Sequence, residues 1–260
     1  MNKRALALAL VVMASAAAPT PAPQPSMPSF SATGAMNLKG QTPDGKSGTV
    51  QIQMRVAHRN LLTRVDVLRI VAAADDPNAN TMMAQFIPKG TITVVVDQSK
   101  SLLTIWSSSH PYYYQSKLAV PKPTQKNNGK SSSSSIWTTI SNGLSSMTKY
   151  DSYSSSIDLT GHKTVNGHTA SVFAFTHKSQ KHGEPAQTSS GTFALADDLN
   201  GIPLHADVTA TGGPVASVSA DLTQVSTSAP PASTFAIPKG YKKTTQLMNV
   251  LMETGRVTMP

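Results

Sequence analysis

Apolar positions recur with a period of two along much of the chain. Val50, Ile52, Met54 and Val56 alternate with Thr49, Gln51, Gln53 and Arg55. Such alternation predicts a strand with one apolar face and one wet face. Val65, Val67 and Arg69 against Asp66, Leu68 and Ile70 predict a less regular partner strand. Ile92, Val94 and Val96 alternate with Thr93 and Val95, and Asp97 opens a turn. Leu103, Ile105 and Trp106 continue into the next strand. Phe173 and Phe175 share one face of a strand at 169–176, with Val172 on the other. Shorter strands are expected at 192–196, 204–211 and 215–225. Asp44-Gly45, Asn166-Gly167, Asn200-Gly201 and Gly212-Gly213 fall between these runs, as pairs that tolerate positive φ in tight hairpins. The pattern predicts a curved antiparallel meander, mainly β with minor α.

Two segments depart from that period. Ile136, Ile140, Leu144 and Met147 or Thr148 recur at helical spacing between Ser135 and Lys149, although Gly143 and the serines weaken the helix. Leu247, Met248, Leu251 and Met252 form a second apolar stripe, in a helix of about three turns that Gly255 would end. Pro238-Lys-Gly-Tyr241 is expected to close the last sheet-associated segment before it. A one-faced sheet must cover its apolar face. Two weak helices are a modest cover, and a gap beneath them would be an apolar pocket.

The remaining segments divide the chain. Lys3 and Arg4, the apolar run Ala5–Ala14 and Ala14-Ser15-Ala16 have the form of a cleavable leader at 1–16. The run is shorter than the about 20 residues that span a bilayer; a retained anchor is the alternative. Five prolines from Pro19 to Pro28 make 17–29 an extended tether. One domain is expected at 30–243, interrupted by a flexible Ser-rich loop at 121–135, with a C-terminal helix and tail at 244–260.

Composition narrows the setting. The 260 residues include 13% charged residues and no cysteine. Low charge argues against a disordered polyelectrolyte and a long coiled coil. Absence of cysteine removes disulfides, thiolate metal sites, a thiol nucleophile and a lipidated N-terminal cysteine. The formal net charge of +9 comes from scattered bases, which reads as a solvated surface and not a nucleic-acid stripe. A periplasmic or secreted β-protein, monomeric and without bound nucleic acid, is the expected class.

No catalytic constellation emerges. The seven histidines, 58, 110, 162, 168, 177, 182 and 205, include no HExxH spacing and read as solvent-facing residues, with a cross-strand zinc site as the alternative. There is no GxSxG elbow, P-loop or GxGxxG. Asp75-Asp76 and Asp197-Asp198 read as turn residues, because neighbours on a strand point to opposite faces. Tyr112-Tyr113-Tyr114 reads as a strand end whose rings cover the sheet. Neither an enzyme nor a cofactor-dependent protein is expected.

Order and spacing of several short motifs carry a resemblance. They are Gly161-x-x-x-Val165-x-Gly167, Gly201-Ile-Pro-Leu204 and Phe235-Ala-Ile-Pro-Lys-Gly-Tyr241, with the 91–106 hairpin followed by Pro111-Tyr112. Over roughly 30–243 the chain resembles the LolA/LolB-like superfamily, including DUF4412-type envelope proteins. The resemblance implies an open antiparallel half-barrel with one or two helices covering its concave face. It implies an acyl chain, a lipoprotein or another apolar ligand in that concavity, or else a sensor surface. Val50, Ile52, Met54, Ile92, Val94, Val96, Ile140, Leu144, Phe173, Phe175, Leu247 and Leu251 are the expected lining. The alternative is a non-enzymatic interaction or sensor module whose own helices fill the concavity, with partner proteins or a membrane surface outside. The missing lipobox cysteine separates the chain from LolB-like lipoproteins.

Overall fold

Twelve strands form one open sheet in the computed structural model, which describes residues 27–41, 47–74, 89–117, 152–180, 186–211 and 215–251. They are β1 (Phe30–Gln41), β2 (Ser47–Arg59), β3 (Leu62–Ala74), β4 (Ile92–Asp97), β5 (Leu102–Ser107) and β6 (His110–Lys117). Then follow β7 (Ser152–Val165), β8 (His168–Gln180), β9 (Gln187–Ala196), β10 (Ile202–Thr211), β11 (Val215–Ser226) and β12 (Lys242–Thr244). A 3-10 turn, Ala232–Phe235, and a short helix α1, Met248–Leu251, complete the described elements. The expected leader at 1–16, most of the 17–29 tether, the loop at 121–135, the helix at 135–149 and Met252 lie outside the described residues.

The sheet is two meanders joined edge to edge. Its strand order is β12-β6-β5-β4-β3-β2-β1-β11-β10-β9-β8-β7. β1 pairs antiparallel with β2 on one side and with β11 on the other. The alternation seen in β2 is realised, with Ile52, Met54 and Val56 buried and Gln51, Gln53 and Arg55 exposed. The broken alternation of β3 has a local cause. Gln53 faces Arg69 and Met54 faces Val67, so Leu68 is an extra bulge residue, 37% exposed. Asn166-Gly167 and Asn200-Gly201 form the expected hairpin turns, all four residues at positive φ. Asp44-Gly45 and Gly212-Gly213 lie outside the described residues.

The C-terminal segment corrects two expectations. Pro238–Tyr241 does not end the sheet, because Lys242–Thr244 adds a twelfth strand, parallel to Tyr112–Tyr114 of β6. Nor do Leu247, Met248 and Leu251 share one buried helical face. The described helix is a single turn in which Val250 is fully buried and Met248 is 41% exposed. Leaving β11, the chain crosses the sheet and packs Phe235, Ile237 and Tyr241 on Val95, Trp106 and Tyr113. Arg59 donates to the Pro230 carbonyl, Arg64 to the Thr234 carbonyl, and the Tyr241 hydroxyl to the Ser107 carbonyl. After β12 the chain rounds the edge, and Leu251 packs against the core of the other face. The segment therefore hems one edge of the sheet.

The opposite half bends. β10 pairs with β11 only as far as Asp221, leaving the next carbonyl unused by that ladder. Asn166, at the β7–β8 turn, donates to this Leu222 carbonyl at 2.8 Å. Ala170, Ala194, Ala196 and Leu204 form a small core there, with Leu199 and Val225 touching both this core and the main one.

Gly191 marks the tightest strand approach in this half. A Cβ built on it would lie 1.9 Å from the Asp207 carbonyl oxygen, whereas at Gly48 the nearest backbone atom would be 3.5 Å away. Gly191→Ala is expected to cost about 2–3 kcal/mol, the upper end of ordinary overpacking. Gly48→Ala should stay within about 0.5 kcal/mol of the parent. Urea titrations of both variants check this.

Candidate functional site

Register pairing extends the apolar face far beyond any one strand. Ile70, Ile52, Met36, Ala220, Ala206, Phe193, Phe173 and Leu159 are successive partners across eight strands, β3 to β7 by way of the β1–β11 pair. A parallel row runs Ala72, Val50, Leu38, Val218, Val208, Gly191, Phe175 and Ile157. At about 4.8 Å per strand each row is roughly 34 Å long. Both rows contain only apolar residues, so a band two rows wide along this face of the sheet is unsuited to water.

The structure gathers most of the expected lining onto this face. Ile52, Met54, Ile92 and Val94 sit in one core cluster, 2–3% exposed, with Val50 and Leu251 packed against it. Val96 is buried beside them at 3%. Phe173 and Phe175 join Phe193 in a second patch; the Phe173 and Phe193 rings stack at 5.1 Å and Phe175 tilts against Phe193 at 6.3 Å. Leu247 is half-buried beside the short helix. Ile140 and Leu144 lie outside the described residues. Exposure rises along the first row, from Met36 at 3% through Phe193 at 9% to Leu159 at 57%. The β1–β4 end is therefore packed, while at the other end Leu159 of the terminal strand is exposed and Phe175 and Phe193 stay buried. Between Phe175 and Val208 the place of a side chain on Gly191 is taken by the Asp207 carbonyl.

Two buried histidines border the apolar face. His58 stacks on Phe30 at 5.9 Å, its Nδ1 3.0 Å from the Thr63 hydroxyl. His177 lies two residues beyond Phe175 and is 5% exposed. Burial holds both below the usual histidine pKa.

The titratable clusters begin where the apolar rows stop, for His162 and Ser171 form the pair next to Leu159 and Phe173. His162 Nδ1 is 3.1 Å from Asp197 Oδ2, the Ser171 hydroxyl donates to Asp197 Oδ1 at 2.6 Å, and His168 Nδ1 is 2.9 Å from Asp198. Ser, His and Asp thus meet, but not as a nucleophile and its base. The serine gives its proton to the carboxylate and lies 3.3 Å from the same Nδ1 that faces Asp197. Here two donors serve one carboxylate. The Ser171 hydrogen bond, then those of His162, hold Asp197 below the usual carboxylate pKa. Among the described residues no group of three or more His, Cys, Asp or Glu is placed to hold a metal. Sequence spacing signalled neither pair, because the β8–β9 register brings Asp197 and Asp198 back to the β7–β8 hairpin. Tyr113 does cover the sheet, packing with Trp106 and Phe235.

Comparisons place the chain at a distance from known proteins. No family model matches it, and neither does any curated protein, so the LolA/LolB-like and DUF4412 relationship stays a resemblance. Among solved structures it is similar to a DUF1329 family protein from Desulfovibrio piger ATCC 29098. Identity is 11%, coverage is 90% of this chain and 96% of the other, and the TM-score is 0.22. A likeness that remote carries no argument about what this chain does.

His205 generates a pH prediction. Its Nδ1 lies 2.7 Å from Asp221 and its Nε2 2.7 Å from Asp207. Burial lowers its pKa, but the hydrogen bonds to Asp221 and Asp207 raise it more, so the net shift is upward. A raised folded pKa stabilises below the unfolded value of about 6.5, and the benefit disappears as pH rises through the folded value. Denaturation midpoints of the parent and His205→Gln should differ most near pH 5.5 and converge at alkaline pH.

Proposed function

We propose that this chain is an exported envelope protein that binds an acyl chain or similar apolar ligand on the apolar face of its open sheet. The two uninterrupted apolar rows carry this reading. A face of this length that opens towards water at one end suits a long, flexible, nonpolar guest. The leader-like N-terminus and the LolA/LolB-like motifs support the same reading. Ligand contact is assigned to the β7–β9 end, where Leu159 is exposed and Phe173 half-buried beside Phe193. Ile52, Met54, Ile92 and Val94 pack on one another and form the closed part of the same face. We read the protein as a binder and not an enzyme, and carriage of whole lipoproteins as the narrower form of the proposal.

A second reading draws on the 2–3% exposure of those four residues. A face so closely packed suits an interaction or sensor module that fills its own concavity. Native mass spectrometry of protein purified from its own envelope separates the two. Acyl binding predicts an added lipid mass and saturable uptake of a fluorescent fatty acid. Leu159→Asp, at an exposed position, should weaken uptake about tenfold or more while leaving stability within about 0.5 kcal/mol. Only the unliganded mass, with no uptake, would sink the acyl reading and favour the second.

A further inference from the structure

The β2–β3 hairpin turns Arg55, Arg59 and Arg64 to the face opposite the apolar rows, and their fates differ. Arg59 and Arg64 hold the crossing segment through the Pro230 and Thr234 carbonyls. Arg64 also donates to Asp66 at 2.8 Å and lies over the Trp106 ring at 5.6 Å. Arg55 has none of these attachments. It sits between Thr33 of β1 and Asp66 of β3, its register partners. A cleft of about 270 Å³ opens at this point, with Arg55, Arg64, Asp66, Ser31 and Gln224 among its walls.

The cleft has a donor set in search of an anion. Asp66 Oδ1 already accepts from Arg64 at 2.8 Å and from the Thr93 hydroxyl at 2.7 Å. Gln224 stands in the left-handed region at φ 50, where the β1–β11 register slips between Ser31 and Thr33. A glutamine in that region is strained, and strain of this kind clusters at ligand sites. Its Oε1 accepts from the Thr33 hydroxyl at 3.2 Å, which leaves both Nε2 protons to give. Arg55, the Gln224 amide and the Ser31 hydroxyl therefore offer donors from three adjacent strands. Two guanidinium groups against one carboxylate leave the cleft net positive.

We propose that this cleft binds a phosphate group, free or as a phosphomonoester, or in the headgroup of an anionic phospholipid. A guanidinium fork matches phosphate oxygens, and donors converging from three strands suit a tetrahedral anion better than a flat carboxylate. The site lies on the face opposite the proposed acyl surface and stands or falls independently of it.

The full chain is titrated calorimetrically with inorganic phosphate and glycerol phosphate, and floated with vesicles of phosphatidylcholine containing or lacking phosphatidic acid. Saturable binding in the soluble arm identifies a free phosphate ligand; binding confined to phosphatidic acid vesicles identifies the headgroup. In either case Arg55→Ala and Gln224→Glu should each weaken binding about tenfold or more, with Arg55→Lys between parent and alanine. Unchanged thermal midpoints and unchanged fatty-acid uptake in these variants show that the fold and the opposite face are intact. No saturable binding in either arm overturns the proposal, as does binding that both Arg55→Ala and Gln224→Glu leave within about twofold of the parent.

Discussion

The pairing of β1 with β11 is the constraint on which the molecule depends. Each meander alone would be a smaller sheet with an open central edge. Their joining brings together residues about 190 positions apart, such as Thr33 and Thr223, whose hydroxyls lie 3.0 Å apart. Closing so long a loop costs entropy that local hairpins do not have to offset. The compensation is apolar contact along the seam. Gly34 shows how tight it is, for an added Cβ would lie 2.9 Å from Leu222 and 3.0 Å from Met54. Side chains from both neighbouring strands close over that glycine. The long apolar rows pass through Met36–Ala220 and Leu38–Val218, and the basic cleft opens where the same seam slips register. Both candidate surfaces are products of one long-range pairing.

The two faces divide the chemistry. Aliphatic and phenylalanine side chains collect on one, with buried histidines and the exposed His162–Ser171–Asp197 cluster at its borders. Guanidinium groups and the His205 pairs lie away from it. Charge buried on the apolar side would lose hydration without a partner, so polar groups there are held uncharged or hydrogen-bonded. The crossing segment brings a second apolar layer over part of the polar face and fixes it with arginine-to-carbonyl bonds.

Parts of this were legible in the sequence. β2 and β4 were, because Val, Ile and Met repeat on a period of two without interruption. β1 was harder: Ala32 and Gly34 occupy its inward positions, and small residues give a weak periodic signal even where Ala32 is 5% exposed. β7 opens with serines and carries a register slip between Leu159 and Gly161, which breaks the alternation that would reveal it. β12 is three polar residues whose strand character comes wholly from its neighbour β6. The membership of the apolar face was partly readable, since Phe173, Phe175, Ile52 and Val94 each lie on the apolar side of their own strand. Which strands share a row was not, because register between distant strands leaves no local trace. The same holds for Arg55 and Gln224, and for His162 and Asp197, which become neighbours only through pairing.

The slip at Gly161 has a meaning beyond strand assignment. β7 is the terminal strand of the sheet, fourteen residues long, and its described side chains from Ile157 to Thr164 are mostly exposed. A flat terminal strand offers its outward amides and carbonyls as a template on which another chain can assemble. Here the outward ladder is interrupted, since Leu159 pairs with Phe173 but Gly161 with Val172, at a φ of 148. Asp158, His162 and Lys163 add polar and charged side chains on either side of that break. A newcomer strand would have to reproduce the kink and seat those side chains together, which disfavours stacking of copies into filaments.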